Sequence, residues 1–337
     1  MTNLSELRHL LATRQHIAII PHLRPDGDAM GSSLGLMHFL AQHGHHATVL
    51  VPTEVPDYLQ WMPGTNTVQV ATQDLPACQK TLADAGVIFC LDFGVLNRAG
   101  LLEAPIRKST KPKVHIDHHL DADNFAQYEL RDTTASSTCE LVYRFIHRLE
   151  ARTPITEACA TCLYTGIMTD TGSFRFETAT ADVHRVVADL IGLGVDVARV
   201  HQRVFNNFTE GRTRFLGHVL AQKLVVLPEL HTAYMTVTQQ ELKQFSVAVA
   251  DTEGLVNYAL GIQGINFGVI LIEHPDQVKL SFRSVGTFSA NAFAANFSGG
   301  GHFHAAGGQS KDNLAQTEKR FLELLLHYRK ELNYTLN

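Results

Sequence analysis

Short, unbroken apolar runs alternate in the first half of the chain with longer segments whose apolar residues recur at helical spacing. The runs at residues 16–21, 47–51, 87–91 and 113–116 are rich in Ile and Val and predict buried strands. Helical spacing covers 5–13, 29–42 (closed by Gly44), 136–149 and 156–168. Strands alternating with helices imply right-handed crossovers and a parallel sheet. Past residue 170 the character changes. Residues 181–204 predict a helix, and the more polar 205–217 a linker. Short β-rich runs follow at 223–227, 232–237, 267–273 and 278–282, with helical segments at 288–297 and 314–332. The predicted fold class is therefore α/β. A parallel-sheet domain spans 1–190, a helical linker or hinge 191–223, and a smaller mixed-sheet domain 224–337, with a cleft expected between the two domains.

The residues that end these apolar segments carry the chemistry. His22-Leu23-Arg24-Pro25-Asp26-Gly27-Asp28 follows the first run, Asp92 the third, and Asp117-His118-His119 the fourth; Asp170 follows the apolar stretch ending in Met168. Parallel sheets bind ligands at the carboxyl ends of their strands, so the pattern predicts one shared site. Each piece alone has a plain structural reading. A single Asp after a strand usually caps a turn or helix. With 19 histidines in the chain, most must be ordinary ones. The conjunction points elsewhere. Asp26, Asp28, Asp92, Asp117 and Asp170 could not all ionise at close quarters without compensation, and the first half offers no arginine cluster. Divalent cations are the simplest remedy.

Mixed carboxylate and imidazole donors suit Mn²⁺, with Mg²⁺, Co²⁺ or Fe²⁺ as competitors. The lack of a cysteine cluster argues against structural zinc. Two cations about 3.5–4 Å apart would share a carboxylate, lower the pKa of water between them and clamp an in-line displacement at phosphorus. Asp26 and Asp28, two apart on a turn loosened by Gly27, could serve one cation each. The helix that follows would point its N-terminus at an anionic substrate. A second constellation is Gly299-Gly300-Gly301-His302, followed by Phe303-His304-Ala305-Ala306-Gly307-Gly308. Its glycines could let backbone N–H groups wrap an anion, His302 could add a donor, and Arg283 a bidentate charge. The plain alternatives there are a flexible loop and a surface cation.

Composition narrows the field. The chain is 45% hydrophobic and 18% charged over 337 residues, which suits two globular domains and excludes disorder. A formal charge of -5 and the absence of any basic run argue against long duplex nucleic acid as a partner. A small or short phosphorylated ligand stays open. No apolar run reaches the roughly 20 residues needed to span a bilayer, and residues 1–15 do not read as a signal peptide. A cytoplasmic protein with no membrane partner is expected. The five cysteines make no disulfide framework, and Cys159 and Cys162, a lone CxxC in a helical segment, read as buried thiols.

The order His-x-x-Pro-Asp-Gly-Asp-Ala-x-Gly-Ser at 22–32, Asp92, Asp117-His118-His119 and Thr169-Asp170-Thr171-Gly172 resembles the DHH phosphoesterase superfamily. The GGGHxxAAG pattern at 299–307 looks like its associated C-terminal domain. Length and layout are most similar to the nanoRNase/pAp phosphatase branch, the bifunctional oligoribonucleases. The resemblance implies a hydrolase that cuts very short RNA or DNA oligonucleotides to mononucleotides and 3′-phosphoadenosine 5′-phosphate (pAp) to AMP and phosphate. It implies one cation held by His22, Asp26 and Asp92, and a second by Asp28, Asp92, His118 and Asp170, with Asp92 shared. Asp117 would orient the histidines beside it. His119 would face the phosphate as a donor or as the acid for the leaving oxygen. Arg283, Gly299, Gly300, Gly301 and His302 would grip substrate, Arg98 could reach a phosphate, and Ser136 or Ser137 could do so at a helix start. A homodimer is compatible with the resemblance.

Two departures from the family pattern stand out. Phe93-Gly94 follows Asp92, and Phe303 and His304 vary the glycine motif; Phe303 is expected to be a packed aromatic. The alternatives are a cyclic- or linear-dinucleotide phosphodiesterase, a manganese pyrophosphatase-like enzyme and, outside enzymes, a nucleotide-binding regulator.

Overall fold

A computed structural model describes residues 3–120, 123–149, 155–206 and 208–332. The chain divides into two compact units, residues 1–207 and 208–337.

The first unit runs α1 (Leu4–Leu10), β1 (His16–Ile20), α2 (Gly27–Gln42), β2 (His46–Val51), β3 (Gln69–Val70), α3 (Leu75–Asp84), β4 (Val87–Leu91), α4 (Glu103–Lys108), β5 (Lys113–Asp117), β6 (Tyr128–Arg131), α5 (Thr138–Leu149), α6 (Glu157–Asp170), α7 (Ala181–Gly192) and α8 (Val197–Phe205). Its sheet has the order β3-β2-β1-β4-β5-β6, and every neighbouring pair is parallel. Strand order reverses between β1 and β4, the place where such sheets open a ligand crevice. The apolar runs are continuous because both faces are covered. Ile17, Ile19, Phe89 and Leu91 join a core with α2, α5 and α6, while Ala18, Ile20, Ile88 and Cys90 face α3 and α4. Strands β3 and β6 were not predicted. The first has only two residues, and Tyr128-Glu129-Leu130-Arg131 is an edge strand with polar alternation and no apolar run.

One glycine-spaced stripe brings the helices of the first core together. Gly27, Gly31 and Gly35 of α2 lie against Thr169, against Cys162 and Gly166, and against Leu163 of α6, so closely that a Cβ would sit 2.3, 2.6 and 2.7 Å from the nearest atom. Without side chains at these positions α2 and α6 approach backbone to backbone. That approach sets Asp28 near the start of α2 beside the carboxyl end of α6.

The second unit contains α9 (Glu210–His218), β7 (Leu224–Leu227), β8 (Thr232–Val237), α10 (Gln239–Gln244), α11 (Leu255–Leu260), β9 (Phe267–Glu273), β10 (Val278–Ser284), α12 (Ala290–Ala294), β11 (Gly300–Gly301), β12 (Ala305–Ser310), α13 (Leu314–His327) and α14 (Arg329–Leu332). Its sheet is mixed, ordered β11-β12-β10-β9-β8-β7, with only β8 and β9 parallel. An aromatic core of Phe267, Phe282, Phe293, Phe297 and Phe321 fills one face. Met235, Val237, Ile270 and Ile272 with Phe215 and Val256 fill the other.

Several boundaries differ from the sequence reading. The helix expected over 181–204 is two helices, broken at Gly194 (φ +103°), with α8 restarted by the Asp196 carboxylate accepting from Arg199 N–H. The linker expected at 205–217 contains α9, capped by Thr209 and anchored by the fully buried Phe215. Val200 and Val204 of α8 belong to the core of the first unit, and Phe215 to that of the second. Residues 288–297 hold only the short α12 and a 3₁₀ turn, and α13 is separated from α14 at Tyr328. Among the described residues no helix is long and apolar enough to cross a membrane.

Candidate metal centre

The switch point collects the strand-end residues. His22 follows β1, Asp92 follows β4, and Asp117 closes β5 with His118 and His119 directly after it. Asp26 and Asp28 begin α2. Asp170 comes from the last turn of α6, the helix expected over 156–168.

Asp92 lies at the middle. Its Oδ2 is 3.5 Å from His22 Nε2, and its Oδ1 is 3.6 Å from His118 Nε2. The two oxygens thus face two different imidazoles. His22 Nε2 is also 3.8 Å from Asp26 Oδ2. His118 Nε2 is 3.8 Å from Asp28 Oδ2 and 3.5 Å from Asp170 Oδ2. These separations exceed the roughly 2.7–3.2 Å of a hydrogen bond. They are close to the edge expected between two donors about 2.1 Å from one cation. His22, Asp26 and Asp92 form one group with mutually close donor atoms, and Asp28, Asp92 and His118 another. The donor set fits two divalent cations, and the groups share Asp92.

The ligand atoms are oriented by bonds on their far sides. His22 Nδ1 donates to Leu23 O at 2.8 Å, and His118 Nδ1 to Ala135 O at 3.4 Å, so each ring presents an Nε2 lone pair. Asp26 caps α2, its Oδ1 accepting from Asp28 and Ala29 N–H at 3.0 Å each. Asp28 accepts from Thr138 N–H at 2.6 Å and Cys139 N–H at 2.8 Å, at the N-terminus of α5. The Thr138 hydroxyl donates to Asp92 Oδ1 at 2.9 Å. Asp92 itself sits at φ +66°, a left-handed backbone that aims its carboxylate off the end of β4.

Electrostatics follow from crowding. Burial, then the neighbouring Asp92 and Asp170, drives the Asp28 carboxyl well above the usual range. Burial, Asp26 and Asp92 do the same to Asp170. Burial works against a charged His22, yet Asp26 and Asp92 hold its pKa up at about 10. His118 is likewise raised, Asp28 and Asp92 outweighing its burial. Asp26, although buried in part, is drawn down by His22. Without cations the site must carry extra protons; with them these groups can take their ligand forms.

Asp117 is fully buried and stands behind this row. Its Oδ1 accepts from His119 Nδ1 at 2.7 Å, and its carboxyl is held low because that hydrogen bond outweighs burial. Phe93 after Asp92 is buried and takes His115 Nε2–H on its carbonyl at 2.8 Å. Arg98 is exposed, and its carbonyl accepts from Leu23 N–H at 2.7 Å, tying the 3₁₀ turn after β4 to the His22 loop. Ser136 and Ser137 are buried. Ser136 N–H donates to Glu140 Oε2 and the Ser137 hydroxyl accepts from Glu140 N–H, so they cap α5. Sequence reasoning missed Thr138, Cys139, His115 and Arg131. The Ser-Ser-Thr-x-Glu pattern was a usable signal for the first two, since it marks a helix start. Cys159 and Cys162 are buried in α6, with burial pushing the Cys159 thiol up to about 12.

In the second unit the glycine motif is more ordered than a loop. Gly300 and Gly301 pair with Gly307 and Ala306 of β12, an unpredicted strand. A Cβ on Gly299 would lie 2.0 Å from Gly307 O, so the close backbone approach explains that glycine. Gly299 N–H donates to Ala294 O, and His302 N–H to Ala305 O. Those two amides are bonded inside the fold. Gly300, Gly301, His302 and Phe303 are exposed, Phe303 by 48%, and so not the packed aromatic expected. Arg283, on β10 opposite Ala305, is partly buried; burial lowers its pKa and Glu253 opposes that.

Comparison with known proteins agrees in both units. Residues 16–167 match the DHH family N-terminal domain, and residues 231–331 match the DHHA1 domain. The chain is 31% identical over 315 residues to a Thermus thermophilus protein named bifunctional oligoribonuclease and PAP phosphatase NrnA, covering 93% of this chain and 90% of that one. A Bacillus subtilis protein of the same name is 26% identical over 304 residues, covering 90% of this chain and 92% of the relative. The crystal structure of an exopolyphosphatase-related protein from Bacteroides fragilis is similar with a TM-score of 0.95 and 35% identity, over 98% of this chain and 97% of that one. RecJ from Thermus thermophilus, solved in complex with Mn²⁺, shares the fold at a TM-score of 0.57 and 14% identity, over 98% of this chain and 55% of RecJ.

Proposed function

The chain belongs to the DHH phosphoesterase family, and from that premise we propose that it hydrolyses very short oligonucleotides to mononucleotides and pAp to AMP and phosphate. The observation that carries this reading is the pair of histidine–carboxylate groups divided across the two oxygens of Asp92. The relatives named oligoribonuclease and PAP phosphatase supply the substrate class.

Two divalent cations, Mn²⁺ preferred over Mg²⁺ or Co²⁺, would bind at His22, Asp26 and Asp92 and at Asp28, Asp92, His118 and Asp170. When bound they supply charge neutralisation at the phosphoryl oxygens and lower the pKa of water. The chain's own residues do the rest. Leu23 and Ala135 carbonyls fix the His22 and His118 tautomers. The α5 N-terminus and the Thr138 hydroxyl hold Asp28 and Asp92 in line. His119 donates Nδ1–H to Asp117, so it would serve the leaving oxygen from Nε2 only in its doubly protonated form, giving up the Nε2 proton and keeping the one on Nδ1. Arg98, Arg283, His302 and the glycines at 299–301 are the residues we propose to contact the substrate's phosphate or terminal nucleotide. The formal charge of -5 matches short substrates that need no long basic track. The cysteines are buried free thiols, which suits a reducing compartment, and we place the protein in the cytoplasm.

The test is hydrolysis of a dinucleotide and of pAp with Mn²⁺ by the wild type and by Asp92→Ala. The substitution removes a ligand from both groups and is expected to abolish turnover of both substrates. Equal rates for the two proteins would reject the mechanism.

A further inference from the structure

Strands β5 and β6 carry a polar ladder at one edge of the parallel sheet. Their register places His115 beside Glu129 and Asp117 beside Arg131, while Val114 and Ile116 alternate to the opposite face beside Tyr128 and Leu130. A fully buried carboxylate such as Asp117 needs compensation, since an unpaired charge in the interior is costly. The imidazole of His119 supplies one partner, through Asp117 Oδ1 at 2.7 Å. On the other side Arg131 Nε is 3.8 Å from Asp117 Oδ2, and His115 Nε2 is 3.9 Å from the same oxygen. His115 is committed to Phe93 O, and burial lowers its pKa, so it adds no charge there in its neutral form. Arg131 is thus the permanent cation facing Asp117.

The same guanidinium does a second thing. Its Nη2 donates to His119 O at 2.8 Å and to Leu120 O at 3.3 Å. These carbonyls begin the loop that leaves β5, where the sheet ladder has ended. Arg131 therefore holds His119 from two directions at once. It bonds the backbone from which the ring projects, and its charge stands 3.8 Å from the carboxylate that fixes the ring's Nδ1. The planar guanidinium fork suits this task, because Nη2 bonds the carbonyls while Nε keeps its charge 3.8 Å from the carboxylate, at ion-pair and not hydrogen-bond distance.

We propose that Arg131 is a positioning residue for His119, acting through Asp117 Oδ2 and the His119 carbonyl. Only its kinetic consequence rests on the phosphoesterase reading; the orientation of the ring does not.

The experiment uses the full chain and the variants Arg131→Met, Arg131→Lys, His119→Ala and Arg131→Met/His119→Ala. In the metal-free wild type, the His119 Nδ1 proton should give a hydrogen-bonded, slowly exchanging proton NMR resonance, assigned by its loss in His119→Ala. Arg131→Met should lose or broaden it. Arg131→Lys, which keeps charge but has one nitrogen, should show an intermediate signal. With dinucleotide and Mn²⁺, Arg131→Met should lower kcat by about 10- to 100-fold, as an ångström-scale misplacement does, with KM and Mn²⁺ affinity within about twofold. Adding it to His119→Ala should cost nothing further. An unchanged resonance in Arg131→Met would overturn the proposal whatever the activity. So would an equal loss in the His119→Ala background, which would mean Arg131 acts only on general stability. Should Arg131→Met not fold, the Lys variant decides by the same resonance. A wild type that turns over no substrate would defeat the proposed function and leave the spectroscopic outcome to judge Arg131.

Discussion

Gly31→Ala tests how the helices assemble the ligands. A Cβ there would lie 2.6 Å from Cys162 O, 2.8 Å from Cys139 Sγ and 3.1 Å from Gly166 N. Ordinary contact begins at 3.4 Å, so α2 and α6 must part by about 0.8 Å at that level. Two of the three obstacles are backbone and cannot rotate away. Overpacking of this kind costs about 1–3 kcal/mol. Replacing glycine by alanine within a helix returns up to about 1 kcal/mol. The net expectation is a loss of about 1–2 kcal/mol, or roughly 2–8 °C in the melting of the first unit. Asp28 stands three residues before Gly31, and Asp170 four residues after Gly166. Parting the helices therefore separates ligands, and Mn²⁺ affinity and kcat should each fall about 10-fold or more. Differential scanning calorimetry and Mn²⁺ titration by EPR measure the two effects. Gly217→Ala is the matched control. It lies in α9 with nothing within 4 Å of the new Cβ, and it should be neutral or stabilising by up to about 1 kcal/mol. If Gly31→Ala melts and binds Mn²⁺ like the wild type, close approach does not build the site.

Thr138→Val keeps the N–H that holds Asp28 but removes the hydroxyl on Asp92 Oδ1; cation affinity should drop about 10-fold, Thr138→Ser should restore it, and isothermal titration reads both. Chelated protein should become less stable between pH 5.5 and 8.5. Asp28 and Asp170 have folded pKa values raised above the unfolded ones, and His22 is raised to about 10, so each favours folding fully below its unfolded pKa and loses that contribution as pH rises through its folded one. A melting temperature with EDTA that climbs over this interval would contradict the sign. Added Mn²⁺ should give a larger stabilisation at pH 8.5 than at 5.5, because ligand protons no longer compete. Thr238→Ala breaks the capping box of α10 in the second unit and should cost about 1 kcal/mol without altering Mn²⁺ affinity.

Much of the fold could be read from the chain because its strands are buried on both faces. The Val87–Leu91 run is wholly buried, and its apolar composition announces it. The edge strands were harder. Tyr128–Arg131 alternates with polar residues that serve the interior ladder, and Gly300–Gly301 pairs through backbone with no side chains to give a pattern. The β12 strand, Ala305–Ser310, hides in small residues because bulk there would strike Phe297 and Phe282: a Cβ on Gly308 would sit 2.8 Å from Phe297 Cβ. Exposure of Phe303 was also unreadable, since an aromatic in a tight turn has the same one-dimensional signature whether it packs inward or outward.

The ligands themselves were legible as residue types, but the devices that let them coexist were not. The sequence suggests that the N-terminus of α2 faces a substrate anion. In the folded chain, Asp28 and Ala29 N–H both go to Asp26, and the N-terminal amides of α5 go to Asp28. Each helix N-terminus carries the equivalent of roughly half a positive charge, and here both are directed at carboxylate ligands instead of substrate. These dipoles offset part of the crowding among the acids, and the remainder shows as the raised pKa of Asp28 and Asp170. The same bonds mean that backbone dipoles are already occupied when a phosphate arrives. Under the proposed function the neutralisation of substrate charge would then fall to bound cations and to side chains, and the same carboxylates that make the site difficult to assemble would make it dependent on metal.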